Sequence, residues 1–542
     1  MIKLIEKYPI ASIVIFGLLM LLPNLDAMVL TIMEARDYVT AHEMVVDGHW
    51  LQTTMNGIAR YEKPPLPTWL SAFSGMLFGI HSLFALRLPA ALMIVFSGIF
   101  TYKLSIKFNF SVERSLINSF ILLTSFYVIA IIIEAPWDIF THGFTLASIY
   151  YFIDILKDDK VALKNVIWSG LFLGFSFLSK GPIGFYALFL PFLFSYIYFF
   201  GIKNAKAKIK YLLAFLIIFI LIGGSWHLFI EVVDSSRLNE ITEHEAENWE
   251  SYNVRPFYYY WSFVIQSGIW TFFSLVALWY PYLKKKVKQQ KEYKFTILWI
   301  LATLILLSIV PEKKSRYLVP ILFPLALNTG FYLEYLLKSF TSIKSTLEKS
   351  VVYFNFIVFG AIAIIIPFGI SFIFYNSPNF DFLTFLPFFL LLIFVGFNLF
   401  KSLFNKNIKK AFYFKIIFMG LIVSLGLPIV KLLNNNPSYN GISSLHQIEH
   451  NYHLKSYFYK EIAPELLWYY QGKIEKFKSI KSVKNDSIGL LINVDDSNIL
   501  KNFSTDYKVV KLKDFNANYF KKERNRLKFD YYLITKNNYF NN

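Results

Sequence analysis

The sequence has no cysteine among its 542 residues. This absence excludes disulfide bonds, thiolate metal sites and cysteine nucleophiles, although it does not identify the compartment, since an oxidising compartment does not require disulfides. We also find no glycine-rich phosphate loop, no internal repeat and no heptad array. Nucleotide binding of the P-loop kind, a repeat architecture and a coiled coil are therefore not expected.

Charged residues are also few, at 17%, whereas 56% of the chain is hydrophobic and 19% is aromatic. Repeated apolar runs near 20 residues predict transmembrane helices. The net charge of +18 would suit a nucleic-acid partner. However, most lysines lie in short clusters between the apolar runs, where the positive-inside rule explains them. We therefore expect a protein of the lipid bilayer with no nucleic-acid partner.

The apolar runs predict about thirteen membrane spans. The first follows Lys3 and Lys7 as in a signal peptide, but no small-residue cleavage site follows it, so we expect an uncleaved span. A shorter apolar segment, 66–80, is predicted to lie along the membrane interface. The runs are 9–25, 82–102, 116–133, 139–156, 165–178, 183–202, 211–231, 257–282, 295–310, 317–337, 351–375, 382–400 and 411–433.

Alternate connections between these runs differ in charge. One set, together with the N-terminus, carries 25 Lys and Arg residues and is predicted to be cytoplasmic. The other set has fewer basic residues but most of the carboxylates that lie between spans, which predicts that the chemistry takes place outside. This outer set comprises 26–66, 134–138, 179–182, 234–256, 311–316 and 376–381.

The composition changes after Val430. A turn-rich linker at 434–438 is followed by a helical pattern at 464–470 and by strand-like runs at 488–494, 507–512 and 529–535. The fold class expected is thus an all-α polytopic membrane protein with a small C-terminal α/β soluble domain. The domains would be 1–434 and 435–542, with the second on the outer side.

The first outer loop, 26–66, is the longest carboxylate-bearing segment near the N-terminus. Thr31 and Glu34 fit a helix capping box, which is a structural role for Glu34; a catalytic role is the alternative. Three prolines after Lys63 hold Glu62 and Lys63 at a fixed bend. A lysine there suits a phosphate oxygen and a carboxylate suits a divalent cation, whereas a helix start with an interfacial lysine is the simpler interpretation.

The later outer loops hold shorter motifs, each with a structural alternative. Asp138 would take part in the chemistry of the site or act as an N-cap. Lys180 is a lone lysine on the predicted outer side, where the positive-inside rule disfavours it. His244 is a metal-ligand candidate within an acidic run, Arg255 anchors an aromatic belt, and the cations after Pro311 suit a lipid phosphate. These cations are Lys313, Lys314 and Arg316, followed by Tyr317.

These motifs in this order resemble the GT-C glycosyltransferases that use polyprenyl-phosphate sugars. The similarity is to lipid A aminoarabinose transferases and to bacterial relatives of protein O-mannosyltransferases. It covers about 300 residues, and the Glu-Lys-Pro-Pro element is its most specific part. The segments that carry it are Glu34-Ala-Arg36, Tyr61-Glu-Lys-Pro-Pro65 with Trp69, Arg87-Leu-Pro89, Trp137-Asp138, Lys180-Gly-Pro182, Arg255-Pro-Phe-Tyr, and Lys314-Ser-Arg-Tyr317 with Pro320.

The resemblance implies roles for individual residues. The family carries an Asp-Glu pair whose Asp is the catalytic carboxylate; Met33 stands at that position here, so Glu34 is the first candidate, with Asp37 or Asp26 as alternatives. A divalent metal near the donor phosphate would be held by Glu62 and His244. Phosphate contacts would come from Arg36 and Lys63, with further candidates at Lys180, Arg255, Lys314, Arg316 and Tyr317, and Asp138 would orient the acceptor or Glu34.

The activity expected is transfer of a sugar, with inversion, from a polyprenyl-phosphate donor to a hydroxyl of lipid A, a glycan or a protein. The site would face the periplasm from the bacterial inner membrane. The alternative is a transporter or flippase of lipid-linked intermediates, or a non-catalytic envelope scaffold. Transporters bury ionisable groups near the bilayer midplane, whereas here these groups collect at one surface, which favours the enzyme.

Overall fold

The structure is a computed structural model that describes residues 2–375, 377, 380–433, 436–479, 487–503 and 507–536. It is mainly helical. The α-helices are α1 (Ile2–Lys7), α2 (Pro9–Leu21), α3 (Ile32–Asp47), α4 (Leu66–Phe78), α5 (Leu83–Lys107), α6 (Val112–Leu123), α7 (Phe126–Glu134), α8 (Pro136–Lys157), α9 (Leu163–Lys180), α10 (Leu190–Phe200), α11 (Ala205–Ser251), α12 (Thr271–Leu278), α13 (Tyr280–Leu283), α14 (Gln290–Ile309), α15 (Val319–Ser339), α16 (Thr346–Phe374), α17 (Phe382–Phe404), α18 (Ile408–Leu433), α19 (Leu445–Tyr452) and α20 (Pro464–Tyr470).

Tighter or wider helical turns connect some of these elements. Phe185–Phe189 is a π-helical turn before α10, and Phe257–Trp270 and Ser315–Leu318 are 3₁₀ segments. The strands are β1 (Thr54–Met55), β2 (Ile58–Ala59), β3 (Ser456–Phe458), β4 (Glu475–Lys476), β5 (Ser487–Asn493), β6 (Tyr507–Asn516) and β7 (Lys528–Lys536).

Each apolar run predicted as a span lies on helical structure, but the count of thirteen is not confirmed. Within the described residues, eight helices are long and apolar enough to cross a membrane, or nine if the bent pair α6–α7 is one span. The helix α2 and the segment Phe185–Phe200 are apolar but shorter. A 13-residue helix rises only about 20 Å, less than the hydrocarbon thickness of roughly 30 Å.

The chain divides into two compact units. The first comprises Met1–Leu25, Tyr61–Pro67 and Arg87–Leu427, and the second comprises Asp26–Arg60, Thr68–Leu86 and Pro428–Asn542. Most of the segment 26–66, the predicted first outer loop, thus belongs to the same unit as the C-terminal region. The predicted domain boundary lies at residues 434 and 435, outside the described residues, and the two predicted domains stay a prediction.

The second unit contains a five-stranded sheet of order β4-β3-β5-β7-β6. β3 pairs in parallel with β4 and β5, whereas β7 pairs antiparallel with β5 and β6. Apolar side chains alternate along these strands and pack in two clusters, one on each face. The helix α20 and the three longer strands lie where the sequence predicts them, which confirms a small C-terminal sheet region.

The helices α3 and α20 pack against each other within the second unit. Tyr38 and Trp468 are both buried, and their rings lie 5.9 Å apart between centroids. They belong to one apolar cluster with Ala35, Ala41 and Met44. Because these residues recur at helical spacing along α3, one face of that helix is apolar. The packing of this face fixes the directions in which the polar residues of α3 point.

We expect Leu491→Ala in β5 to weaken the sheet. Leu491 is fully buried, and such truncations cost about 2–5 kcal/mol through lost burial and the cavity left behind. Amide hydrogen exchange of the full-length protein should be faster throughout β5 and β7. Val510→Ala, at a position on β6 that is 37% exposed, is the control and should leave exchange nearly unchanged; equal exchange in the two variants would contradict the packing described.

Candidate active site

An ion pair joins the start of α8 to the end of α9 in the first unit. Asp138 lies in the first turn of α8 and Lys180 is the last residue of α9, and the Lys180 ammonium contacts Asp138 Oδ1. The Asp138 side chain is 1% exposed and that of Lys180 is 11% exposed. Gly181 follows with φ of +70°, a left-handed conformation that ends α9 directly after the lysine. The N-cap alternative for Asp138 is wrong, because Ala135 occupies that position.

Two motifs that are far apart in sequence, and that are predicted to lie in outer loops, are held together by backbone pairing. Val254 and Glu312 form an antiparallel bridge, the Arg255 amide donates to the Pro311 carbonyl (3.2 Å), and the Lys313 amide donates to the Asn253 carbonyl (3.2 Å). This pairing brings the Arg255 motif to the 311–317 motif. The Arg255 side chain itself is exposed.

Glu312 organises the 311–317 motif. It is buried, pairs with the Lys314 ammonium and accepts a hydrogen bond from the Tyr317 hydroxyl (3.1 Å). The buried Tyr260 hydroxyl contacts the backbone of Lys314 through both its amide (3.0 Å) and its carbonyl (3.2 Å). A phenol is protonated near neutral pH, so the Tyr317 hydroxyl acts as the donor in this hydrogen bond.

The cations of several motifs meet around Tyr317. The Lys180 ammonium lies 4.8 Å from the centre of this ring and the Arg316 guanidinium 5.6 Å from it. Arg316 and Lys63 both repel the Lys180 charge. The ammonium of Lys63 lies 3.5 Å from a carboxylate oxygen of Glu245. We call Lys63, Lys180, Lys314 and Arg316 the cation cluster.

Arg316 differs from the other three members of the cation cluster. Lys63, Lys180 and Lys314 each have a carboxylate partner, namely Glu245, Asp138 and Glu312. Within the described part of the chain, no carboxylate lies at ion-pair distance from Arg316, and its Nε is buried without a hydrogen-bond partner. The cluster therefore has one uncompensated positive charge, on a guanidinium, which suits an anion with several oxygens.

Two more buried polar atoms near the ion pair have no hydrogen-bond partner within the described residues. They are Oδ2 of Asp138 and Nδ1 of His142, one helical turn further along α8. His142 is 1% exposed and interacts electrostatically with Asp138 and Lys180. A buried polar group without a partner costs about 1–3 kcal/mol. The two atoms lie beside the ion pair, where a polar ligand or ordered water would satisfy them.

Four further predicted residues lie in the second unit, on or before α3, namely Asp26, Glu34, Arg36 and Asp37. The capping box is confirmed: the Glu34 carboxylate accepts from the Thr31 amide (3.0 Å), and the Thr31 hydroxyl accepts from the Glu34 amide (3.3 Å). Glu34 is fully buried and also accepts from the Tyr38 hydroxyl (3.4 Å). Asp37 is buried and accepts a hydrogen bond from Thr68, whereas Arg36 and Asp26 are exposed. Their catalytic roles stay predictions.

The predicted metal ligands Glu62 and His244 are both exposed side chains of the first unit. Together they offer two donors, fewer than the three protein ligands that catalytic zinc sites use. One group of three donor side chains within 4.8 Å of one another is present elsewhere, at Glu43, Asp47 and His49 of the second unit. There, the Lys473 ammonium already contacts Asp47 at 2.9 Å. The residues predicted to hold a metal do not make a complete site.

Sequence reasoning missed Glu312, Tyr260 and His142. Glu312 stands next to the lysines of its motif in sequence, and a lone carboxylate among outer cations was the available signal. Tyr260 is one of three successive tyrosines and His142 lies inside an apolar run, so nothing local distinguishes them. Their roles depend on contacts between distant segments.

Comparison with known proteins supports the fold. The profile of the family described as dolichyl-phosphate-mannose-protein mannosyltransferase matches residues 62–226. The fold is that of ArnT from Cupriavidus metallidurans in its crystal structure bound to undecaprenyl phosphate, with a TM-score of 0.68, 14% identity and 96% of each chain covered. The predicted resemblance to GT-C glycosyltransferases, and to lipid A aminoarabinose transferases among them, is confirmed.

Sequence relatives match a shorter part of the chain. An uncharacterized protein of Aquifex aeolicus is 29% identical over 54% of this chain and 58% of its own length. The undecaprenyl phosphate-alpha-4-amino-4-deoxy-L-arabinose arabinosyl transferase of Pectobacterium atrosepticum is 26% identical over 58% of this chain and 57% of its own length. The chain thus spans a little under three fifths of the length of these relatives.

We expect Lys180→Met to destabilise the protein by about 3–5 kcal/mol, because Asp138 would stay buried without its counter-charge. The double variant Asp138→Asn with Lys180→Met should recover most of this loss. Lys203→Met is the control, since its ion pair with Asp159 is more than half exposed and is worth at most about 1 kcal/mol. Thermal denaturation in detergent measures all three; a Lys180→Met variant as stable as wild type would show that the pair is not buried.

Proposed function

We propose that this chain is an integral membrane glycosyltransferase that uses a polyprenyl-phosphate sugar as donor. The acceptor is a hydroxyl of lipid A, a glycan or a protein, on the periplasmic face of the bacterial inner membrane. The single observation that carries the proposal is the cation cluster, with Arg316 as its uncompensated member. The activity named for the Pectobacterium relative and the lipid phosphate bound to the Cupriavidus protein support the same donor class.

The proposed reaction is a single displacement. The acceptor oxygen attacks the anomeric carbon and forms the new glycosidic bond, while the bond from that carbon to the donor phosphate oxygen breaks with inversion. The phosphate leaves with the electron pair of the broken bond, and the hydroxyl proton passes to a carboxylate. The reaction thus requires cations at the phosphate and a base at the acceptor.

The proposed roles follow these two requirements. Arg316 would bind the phosphate through its planar guanidinium, and Lys63, Lys180 and Lys314 would stabilise the charge that develops on it. Tyr317 would donate its hydroxyl. Arg36 and Arg255 are further phosphate ligands in this proposal, and Asp138 positions Lys180.

The proton acceptor in this proposal is Glu34, with Asp37 and Asp26 as alternatives. The capping box occupies part of the Glu34 carboxylate, but a carboxylate has about four acceptor positions, so capping and proton transfer are compatible. The proposal contains no metal step, because Glu62 and His244 supply two donors only.

The direct test is release of polyprenyl phosphate by purified protein in lipid nanodiscs, with a sugar-labelled undecaprenyl-phosphate donor and lipid A as acceptor. We expect release of the lipid phosphate together with label in the acceptor. Movement of intact donor across the membrane of proteoliposomes, without release of the lipid phosphate, would instead indicate a flippase and overturn the proposal. The same assay with other glycan or protein acceptors identifies the acceptor class.

We expect Arg316→Gln to lower the transfer rate by about 10²–10³-fold, the usual effect of removing one group that stabilises charge in the transition state. Arg316→Lys should fall between this variant and wild type, because it keeps the charge but loses the planar fork. Arg524→Gln, at an exposed arginine of the C-terminal region, is the control and should have wild-type activity. Equal transfer rates for Arg316→Gln and Arg524→Gln would show that Arg316 does not act in the transfer reaction.

We expect Glu34→Gln to lower the transfer rate by about 10²–10⁴-fold while the protein stays folded. Glutamine can replace glutamate at this position of a capping box, so the helix start is retained while the proton acceptor is lost. The measurements are transfer rate and thermal denaturation midpoint of the same preparation. Near-normal transfer by this variant would move the role to Asp37 or Asp26, which Asp37→Asn and Asp26→Asn then distinguish.

A further inference from the structure

A groove of about 780 Å³ lies within the second unit, between the tip of the β1–β2 hairpin and the edge strand β4. Its volume falls within the range of small-molecule sites. Four lysines line it, namely Lys455, Lys473, Lys476 and Lys478, together with Glu449 and Glu475. None of these residues belongs to the cation cluster or to the proposed transfer machinery.

The backbone that carries these lysines is fixed by the hairpin. Asn56 and Gly57 form its tip with φ of +56° and +72°, the conformation of a type I′ turn. The Asn56 side chain then makes two hydrogen bonds to one residue, donating to the Ile474 carbonyl (2.8 Å) and accepting from the Ile474 amide (2.9 Å). Because Ile474 lies between Lys473 and Glu475, the lysine-bearing wall has a defined position.

The charges of the groove do not cancel. Lys455 pairs with Glu475 (2.5 Å) and Lys473 pairs with Asp47 (2.9 Å). Glu449 accepts hydrogen bonds from the Tyr470 hydroxyl (2.9 and 3.2 Å) and contacts the His446 ring (3.0 Å).

Two lysines are left over once these contacts are made. Over the described ranges, the ion pairs leave Lys476 and Lys478 without a carboxylate partner. The groove thus has two free ammonium groups beside two that are paired and exposed.

We propose that this groove binds a phosphate-bearing anion. Ammonium groups on flexible stems bind phosphate oxygens as point charges, and two uncompensated ones at a groove with a fixed backbone favour a multiply charged ligand. The ligand is either a soluble phosphate compound or the headgroup of an anionic lipid. The alternative role for these lysines is protection of the edge strand β4 against pairing with another chain.

The test is titration of inorganic pyrophosphate into the full-length protein in nanodiscs of neutral lipid, at low ionic strength, by calorimetry. We expect saturable binding that Lys476→Gln with Lys478→Gln weakens about tenfold or more, since each lysine near an anionic surface contributes roughly fivefold in affinity. Lys521→Gln with Lys522→Gln is the control, because it removes the same charge from exposed positions outside the groove. The control should bind as wild type does.

The outcomes separate the proposal from its alternatives. No saturable binding by wild type, equal weakening in the two double variants, or unchanged binding with new self-association of Lys476→Gln/Lys478→Gln would each overturn it. Repeating the titration in nanodiscs that contain phosphatidylglycerol identifies the source of the ligand. Competition by this lipid assigns the groove to a headgroup, and unchanged pyrophosphate binding assigns it to a soluble phosphate. The readout is binding, so the result is independent of the transfer activity proposed above.

Discussion

The carboxylate of Asp138 and the ammonium of Lys180 lie where little water reaches them, and each can remain charged there because the other is present. A buried pair of this kind rarely adds stability in itself, since desolvation consumes most of the attraction. Its effect is to hold a cation at the end of α9 in one position. The neighbouring cations then have a defined place relative to Lys180.

The same arrangement recurs with the other lysines of the cluster. Glu312 holds Lys314 and Glu245 contacts Lys63, so three positive charges are gathered without strong mutual repulsion. Arg316 is added to this set with no carboxylate of its own among the described residues. An incoming phosphate would therefore meet one free guanidinium first, and the paired lysines could respond as its charge develops.

Much of this could be predicted from the sequence where the signal is local. Apolar runs predict the helices, strand-like runs predict β5 and β7, and the spacing of Thr31 and Glu34 predicts the capping box. The pairing of Asp138 with Lys180 could not be predicted, because 42 residues separate them and only the packing of α8 on α9 brings them together. The hairpin at Asn56-Gly57 has a clear local signal, since this dipeptide favours a type I′ turn. The predicted number of spans is not confirmed, because short and bent helices do not fit a 20-residue criterion.

The glycine that follows Lys180 has an unusual consequence for sequence variation. A methyl group at Gly181 would meet no atom within 4 Å, so there is room for a larger residue. The obstacle is the backbone, since φ of +70° with ψ of −146° is a combination that other residues avoid. Whether another residue is tolerated at Gly181 thus depends on the backbone torsion angles and not on the space around it. A substitution would act by turning the end of α9 and carrying the neighbouring ammonium away from its carboxylate, although the substituted residue itself touches neither.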